Sequence, residues 1–141
     1  MHPTTGNDAV HQYRKIGMTN TVNESSPHRL IQMMMEHALA KLNFASGYIE
    51  RGEIEKKGRA IGDAISLING LQASLNHKTN SRMSENFDAL YAYMMRRLLT
   101  ANLKDDVGIL EEVAGLLREL KDAWDAIADD PKVLESEPAQ N

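Results

Sequence analysis

Residues 26–52 read SPHRLIQMMMEHALAKLNFASGYIERG. Within them Ile31, Met35, Ala38, Leu42, Ala45 and Ile49 recur at alternating spacings of four and three, which lays one apolar stripe along an amphipathic helix. Ser25-Ser26-Pro27 supplies its start, a hydroxyl cap followed by proline at the first helical position. Gly52 ends it.

Three more stretches repeat the period. Ile54, Ile61, Ile65, Ile68 and Leu75 form a second stripe, widened by Ala64, Leu67 and Leu71. Gly58, Gly62 and Gly70 lie inside it, each costing about 1 kcal/mol against alanine. The helix there is either locally weak or closely approached by another backbone. His77 to Ser81 is polar and reads as a turn. Met83, Phe87, Leu90, Met94, Leu98 and Ala101 make the third stripe. Leu110, Val113, Leu117, Leu120, Trp124 and Ile127 make the fourth, with Asp105 or Asp106 as its cap. No strand-like alternation occurs.

Four amphipathic helices of about 20 residues, joined by short turns, bury their apolar faces on one another. The expected fold is all-α, an antiparallel up-down four-helix bundle with a short N-terminal cap segment. Residues 1–24 carry no long stripe and form that flexible cap, residues 25–128 the bundle, and residues 129–141 a polar tail that reads as disordered.

Composition narrows the function. A formal net charge of −4 and a pI near 5.7 argue against a nucleic-acid binder. Without cysteine there is no disulfide framework, thiolate metal site or cysteine nucleophile. No apolar run approaches the roughly 20 residues that span a bilayer, and Met1 to Asn20 lacks a secretory core. A cytoplasmic protein with no membrane insertion is the default expectation. Eight methionines stand out, because methionine suits surfaces that accept varied apolar partners.

Catalysis needs a constellation, and none is present. There is no phosphate-binding glycine loop, no His-Glu-x-x-His and no Gly-x-Ser-x-Gly. His2, His11, His28, His37 and His77 are scattered over tails, helix starts and a turn. The Glu-x-x-His motif of bundle di-iron sites is absent. The chain reads as a non-enzyme without cofactor or metal. Glu111, Glu112, Glu119, Lys121 and Asp122 read as a solvated helix face.

One segment asks for more, Leu90-Tyr91-Ala92-Tyr93-Met94-Met95-Arg96-Arg97-Leu98-Leu99. If Leu90, Met94 and Leu98 face the bundle, then Tyr91, Met95 and Leu99 or Tyr93 look sideways or outward. That leaves either a wide core face with snorkelling tyrosines and arginines or an apolar groove suited to a helix. Met33, Met34 and Met35 pose the same question. Three consecutive positions span about 200° of a helical wheel, so at least one is expected off the core. Surplus apolar surface commonly marks a partner site.

These residues are similar to those of a known family. Tyr13 to Gly17 (Tyr-Arg-Lys-Ile-Gly), Ser26 to Ile31, Leu90 to Leu99, Ala101-Asn102-Leu103, Asp106-Val107 and Trp124 together resemble the flagellin-specific export chaperones, the FliS family. The resemblance implies a cytoplasmic chaperone that binds the disordered C-terminal segment of flagellin, prevents premature polymerisation and aids delivery to the type III export gate. It also implies a possible co-chaperone or regulator as partner, and a free protein that is a monomer or weak homodimer. Tyr91, Tyr93, Met94, Arg97, Leu98 and Asn102, with Leu30 and Met34, carry over as the flagellin-binding groove. Val10, Tyr13 and Ile16 carry over as an N-terminal lid. Met34, Met35, Glu36 and His37 stand where the family usually has an aliphatic residue, an aromatic one, then Asp-Gly. Local packing on the first helix is therefore expected to differ.

Overall fold

The computed structural model of the chain describes residues 26–75 and 82–126. These residues form α1 (Pro27–Glu50), α2 (Ile54–Ala73), α3 (Arg82–Lys104) and α4 (Val107–Ala126), and no strand occurs among them. The lid positions Val10, Tyr13 and Ile16, the expected turn at 77–81, Ile127 and the polar tail lie outside the described residues.

Local chemistry sets the helix ends. Ser26 Oγ accepts from the Arg29 amide at 3.1 Å, and Pro27 opens α1. Gly52, at φ +71°, takes the left-handed turn that stops the helix, a conformation a side chain would disfavour. Asp106 is the residue that caps α4, its Oδ1 accepting from the Ile109 amide at 3.2 Å.

Each helix packs on its sequence neighbours, and α4 closes back on α1. Cross-links fix the antiparallel sense. Lys57 meets the Asn102 carbonyl and Gln72 the Asp88 carbonyl, so α2 climbs as α3 descends. His28 meets Trp124 while Glu36 meets Lys121, which does the same for α1 and α4. The result is an all-α antiparallel bundle with one core, drawn from all four helices.

Three sequence expectations need correction. Met33, Met34 and Met35 are only 2%, 2% and 0% exposed, so none of the three lies off the core. The reason is that α1, held between α2 and α4, is covered over more than half its circumference; nine of its side chains are buried. On α3 the buried stripe is Tyr91, Met94, Leu98 and Ala101. It is rotated from the expected one, with Tyr91 inside, Leu90 half-buried and Met83 exposed. Ile54, expected in the α2 stripe, is also exposed because it sits at the first helical position, beyond the reach of the core.

Candidate functional site

Five large apolar side chains are exposed among the described residues; Phe44 lies on α1 and Met83 at the start of α3, and the other three group at one end of the seam between α2 and α3. Leu99 is 62% exposed and Leu103 is 83% exposed, both on α3. Exposed Ile54 stands at the facing end of α2, since Lys57 one turn on is bonded to Asn102. Met95 and Ile65 are half-buried and packed on the core beside the same seam.

Helix geometry explains the grouping. Lys57 and Gln72 point from α2 toward α3, and each residue turns the helix by about 100°. Gly58 and Gly62 therefore fall on the bank of α2 that flanks the seam. A Cβ built at either glycine would meet nothing within 4 Å. Neither of these two glycines serves close packing inside the protein, whereas Gly70, the third glycine of α2, is buried. The lack of side chains at Gly58 and Gly62 leaves a shallow channel beside Leu99 and Leu103.

The floor of this channel is polar at one point. Lys57 is 6% exposed, and its Nζ donates to the Asn102 carbonyl at 2.9 Å and pairs with Asp105 at 2.6 Å. The ammonium thereby satisfies a carbonyl at the α3 C-terminus, where cations are favoured. Asp105 sits at φ 52°, in the left-handed region, and turns the chain into α4. Asn102 Oδ1 is shielded from solvent and has no hydrogen-bond partner among the described residues.

The carried-over groove residues divide into two groups. Tyr91, Met94, Leu98, Leu30 and Met34 are buried. Burial without a charged neighbour pushes the Tyr91 phenol well above its ordinary range. Tyr93, Arg97 and Asn102 are half-exposed. The first two are engaged across the α3–α4 seam: Tyr93 Oη donates to Glu112 Oε2, and Arg97 Nε donates to Glu112 Oε1 at 2.9 Å. The Tyr93 bond, then that from Arg97, holds the Glu112 carboxyl below its ordinary value. The same bond raises the Tyr93 hydroxyl.

The sequence reading that turns Met95 and Leu99 sideways or outward holds, with Leu99 exposed and Met95 half-buried, whereas Ile54, Gly58, Gly62 and Leu103 are not among the expected groove residues. The signal for Leu103 was available. Leu99 and Leu103 fall outside a stripe running through Met94, Leu98 and Ala101, and the glycines read either as local weaknesses or as sites of close backbone approach, not as the bank of a surface channel. Among the described residues no group of His, Cys, Asp and Glu is arranged to hold a metal, and no helix is long and apolar enough to cross a membrane.

The sequence profile of the family described as flagellar protein FliS matches residues 9–131. Curated relatives agree. The chain is 41% identical to the flagellar secretion chaperone FliSB of Pseudomonas aeruginosa over 120 residues, 85% of this chain and 95% of that protein. It is 38% identical to the flagellar secretion chaperone FliS of Salmonella typhimurium, over 90% of this chain and 95% of that one. With the FliS of Bacillus subtilis the identity is 36%, over 74% and 77%.

Proposed function

This chain belongs to the FliS family of flagellar secretion chaperones, and we propose that it is a cytoplasmic holder of the C-terminal segment of flagellin. Held there, the segment cannot pair with other subunits, so polymerisation waits until the export gate takes the client. No bond is made or broken in the client. The work is done by covering an amphipathic helix until it is handed on.

One observation supports this most directly. Leu99 and Leu103 project from α3 beside a bank of α2 left bare by Gly58 and Gly62. A helix laid in this channel would bury both leucines. Each fully buried leucine is worth about 1.5–3 kcal/mol, enough for useful affinity from a short contact. The client segment must order as it binds, which offsets part of that energy and keeps release possible. In this reading Tyr91, Met94 and Leu98 form the rigid core under the contact surface, while Leu30 and Met34 are core residues of α1 toward the opposite end of the bundle. Asn102 lies at its edge, and Tyr93 and Arg97 face the α3–α4 seam.

Size-exclusion chromatography of the protein mixed with the flagellin C-terminal segment tests the reading. A one-to-one complex is expected for the wild type. The Leu99→Asp/Leu103→Asp variant should keep its circular dichroism spectrum and lose about a hundredfold in affinity, about 3 kcal/mol. Wild-type protein that ignores flagellin, or only pairs with itself as concentration rises, would defeat the chaperone reading. Undiminished binding by the double variant would move the site off this seam.

A further inference from the structure

The α2–α3 channel carries a charge pattern as well as an apolar one. Most lysines and arginines among the described residues hold a carboxylate; Lys41 takes Asp63, Arg97 takes Glu112 and Lys121 takes Asp125. Arg59, Arg82, Arg96, Lys104 and Arg118 do not, and of these Arg59, Arg96 and Lys104 stand at the leucine end of the channel. Arg59 is exposed on α2 between Gly58 and Gly62, and Arg96 is exposed on α3 between Met95 and Leu99. The Arg96 guanidinium lies 6.0 Å from the Tyr93 ring, and neither arginine side chain is in an ion pair. Glu55 stands one turn before Arg59 at the favourable i,i+4 spacing and still makes no ion pair with it.

The two guanidinium groups stand on opposite banks. Because Lys57 lies beside Asn102 and Gln72 beside Asp88, Arg59 falls opposite residues 100–101. That is about 7 Å along the axis from Arg96, at 1.5 Å per residue. Leu99 lies between them in height. Toward the other end the charge reverses: Glu85 is exposed and Asp88 half-buried, and neither carboxylate is in an ion pair. Arg59, Arg96 and Lys104 outweigh Glu55 beside the exposed leucines, and Glu85 and Asp88 outweigh Arg82 beyond them, so the channel is net cationic at one end and net anionic at the other.

We propose that this pattern selects and orients the occupant of the channel: an amphipathic helix whose apolar stripe is flanked on both sides by carboxylates, docked with those carboxylates against Arg59 and Arg96. This deepens the chaperone reading and rests on it. Complementary charge fixes register and suppresses wrong partners more than it adds affinity. A client helix that carries these carboxylates toward one end would, if reversed, set them against Glu85 and Asp88.

Titration calorimetry with the flagellin C-terminal segment tests the assignment, using Arg59→Glu/Arg96→Glu and, as control, Arg82→Glu/Arg118→Glu, which reverses two other unpaired arginines. The channel variant should bind about tenfold more weakly at low salt, with the gap closing at high salt, while the control stays near wild type. A client with its flanking acids changed to lysine should regain affinity for the channel variant. Equal losses in both variants would mean long-range attraction only and overturn the proposal, as would an unchanged channel variant. In those cases the chaperone reading stands. Wild-type protein that does not bind the segment overturns both.

Discussion

His28 and Trp124, separated by 96 positions, hold each other's backbone. Their rings stack with centroids 4.5 Å apart, Trp124 Nε1 donates to the His28 carbonyl at 3.0 Å, and His28 Nε2 donates to the Trp124 carbonyl at 2.9 Å. The second bond matters more for stability. Trp124 lies in the last turn of α4, where carbonyls have no partner within the helix. The imidazole supplies one, and so the first turn of α1 closes the end of the bundle.

Substitution at the two positions should therefore separate packing from hydrogen bonding. His28→Phe keeps a ring in the stack and leaves the Trp124 carbonyl buried and unpaired, a loss of about 1–2 kcal/mol. Trp124→Ala removes the ring, for a loss of about 3–5 kcal/mol. Urea unfolding followed by circular dichroism measures both, since the chain has a single tryptophan and the second variant has no fluorophore of that kind. If His28→Phe is as stable as wild type, the carbonyl does not depend on the imidazole.

Lys57 makes the corresponding closure at the other end of the bundle, where α2 begins and α3 ends. Its buried ammonium joins the Asn102 carbonyl to Asp105. Removing one member of a buried pair is costlier than the pair is worth, but Asp105 remains half open to water and can be solvated when its partner goes. Lys57→Ala is expected to lose about 2–3 kcal/mol, chiefly from lost packing and the orphaned carbonyl. Asp105→Asn should lose less, because asparagine tolerates the left-handed backbone found there. The ratio of the two losses, read from urea midpoints, checks the assignment. Equal losses would place the stabilisation in the ion pair itself.

The bundle was legible because its signal is repetitive. Ala38, Leu42 and Ala45 recur on a helical period, and Ser26, Gly52 and Asp106 mark ends with residues whose chemistry suits ends. What the period does not encode is how wide each buried arc is. Met33 and Tyr91 are apolar or amphipathic at positions next to a stripe, and whether such a residue is inside depends on how neighbouring helices sit against it. Leu99 and Leu103 are the converse case: apolar side chains left outside by a stripe that turned away from them. The clasp between His28 and Trp124 is invisible in sequence, because two residues at opposite ends of the chain share no local pattern.

Acid should reveal the α3–α4 strut. Tyr93 and Arg97 hold Glu112 below its ordinary value of 4.5. A carboxyl whose folded value is depressed contributes stability that is present above its unfolded value and lost as pH falls through the folded one. The wild type should thus exceed Glu112→Gln in stability at neutral pH. That difference should shrink as pH falls below 4.5 and vanish once the carboxyl is protonated. The group is solvent-exposed, so the effect is small and the direction is the test. Urea midpoints of both proteins from pH 7 to pH 3 measure it; a gap that does not change with pH would mean that the strut acts through the neutral carboxyl.

Glycines 58 and 62 make stability and function pull in opposite directions. Each stands inside α2 with open space where a side chain would go. Alanine there adds no clash and lowers the entropy lost on folding, so each Gly→Ala change should stabilise the free protein by about 0.5–1 kcal/mol. The bare bank is useful only if something lies against it. Gly58→Ala/Gly62→Ala should therefore raise the thermal midpoint while weakening the flagellin segment's binding several-fold, and Gly58→Leu/Gly62→Leu should weaken it further with the fold intact. Thermal melts and titration on the same samples give both numbers. A leucine pair that binds the segment as tightly as the glycines do would show that no helix comes close to this face of α2.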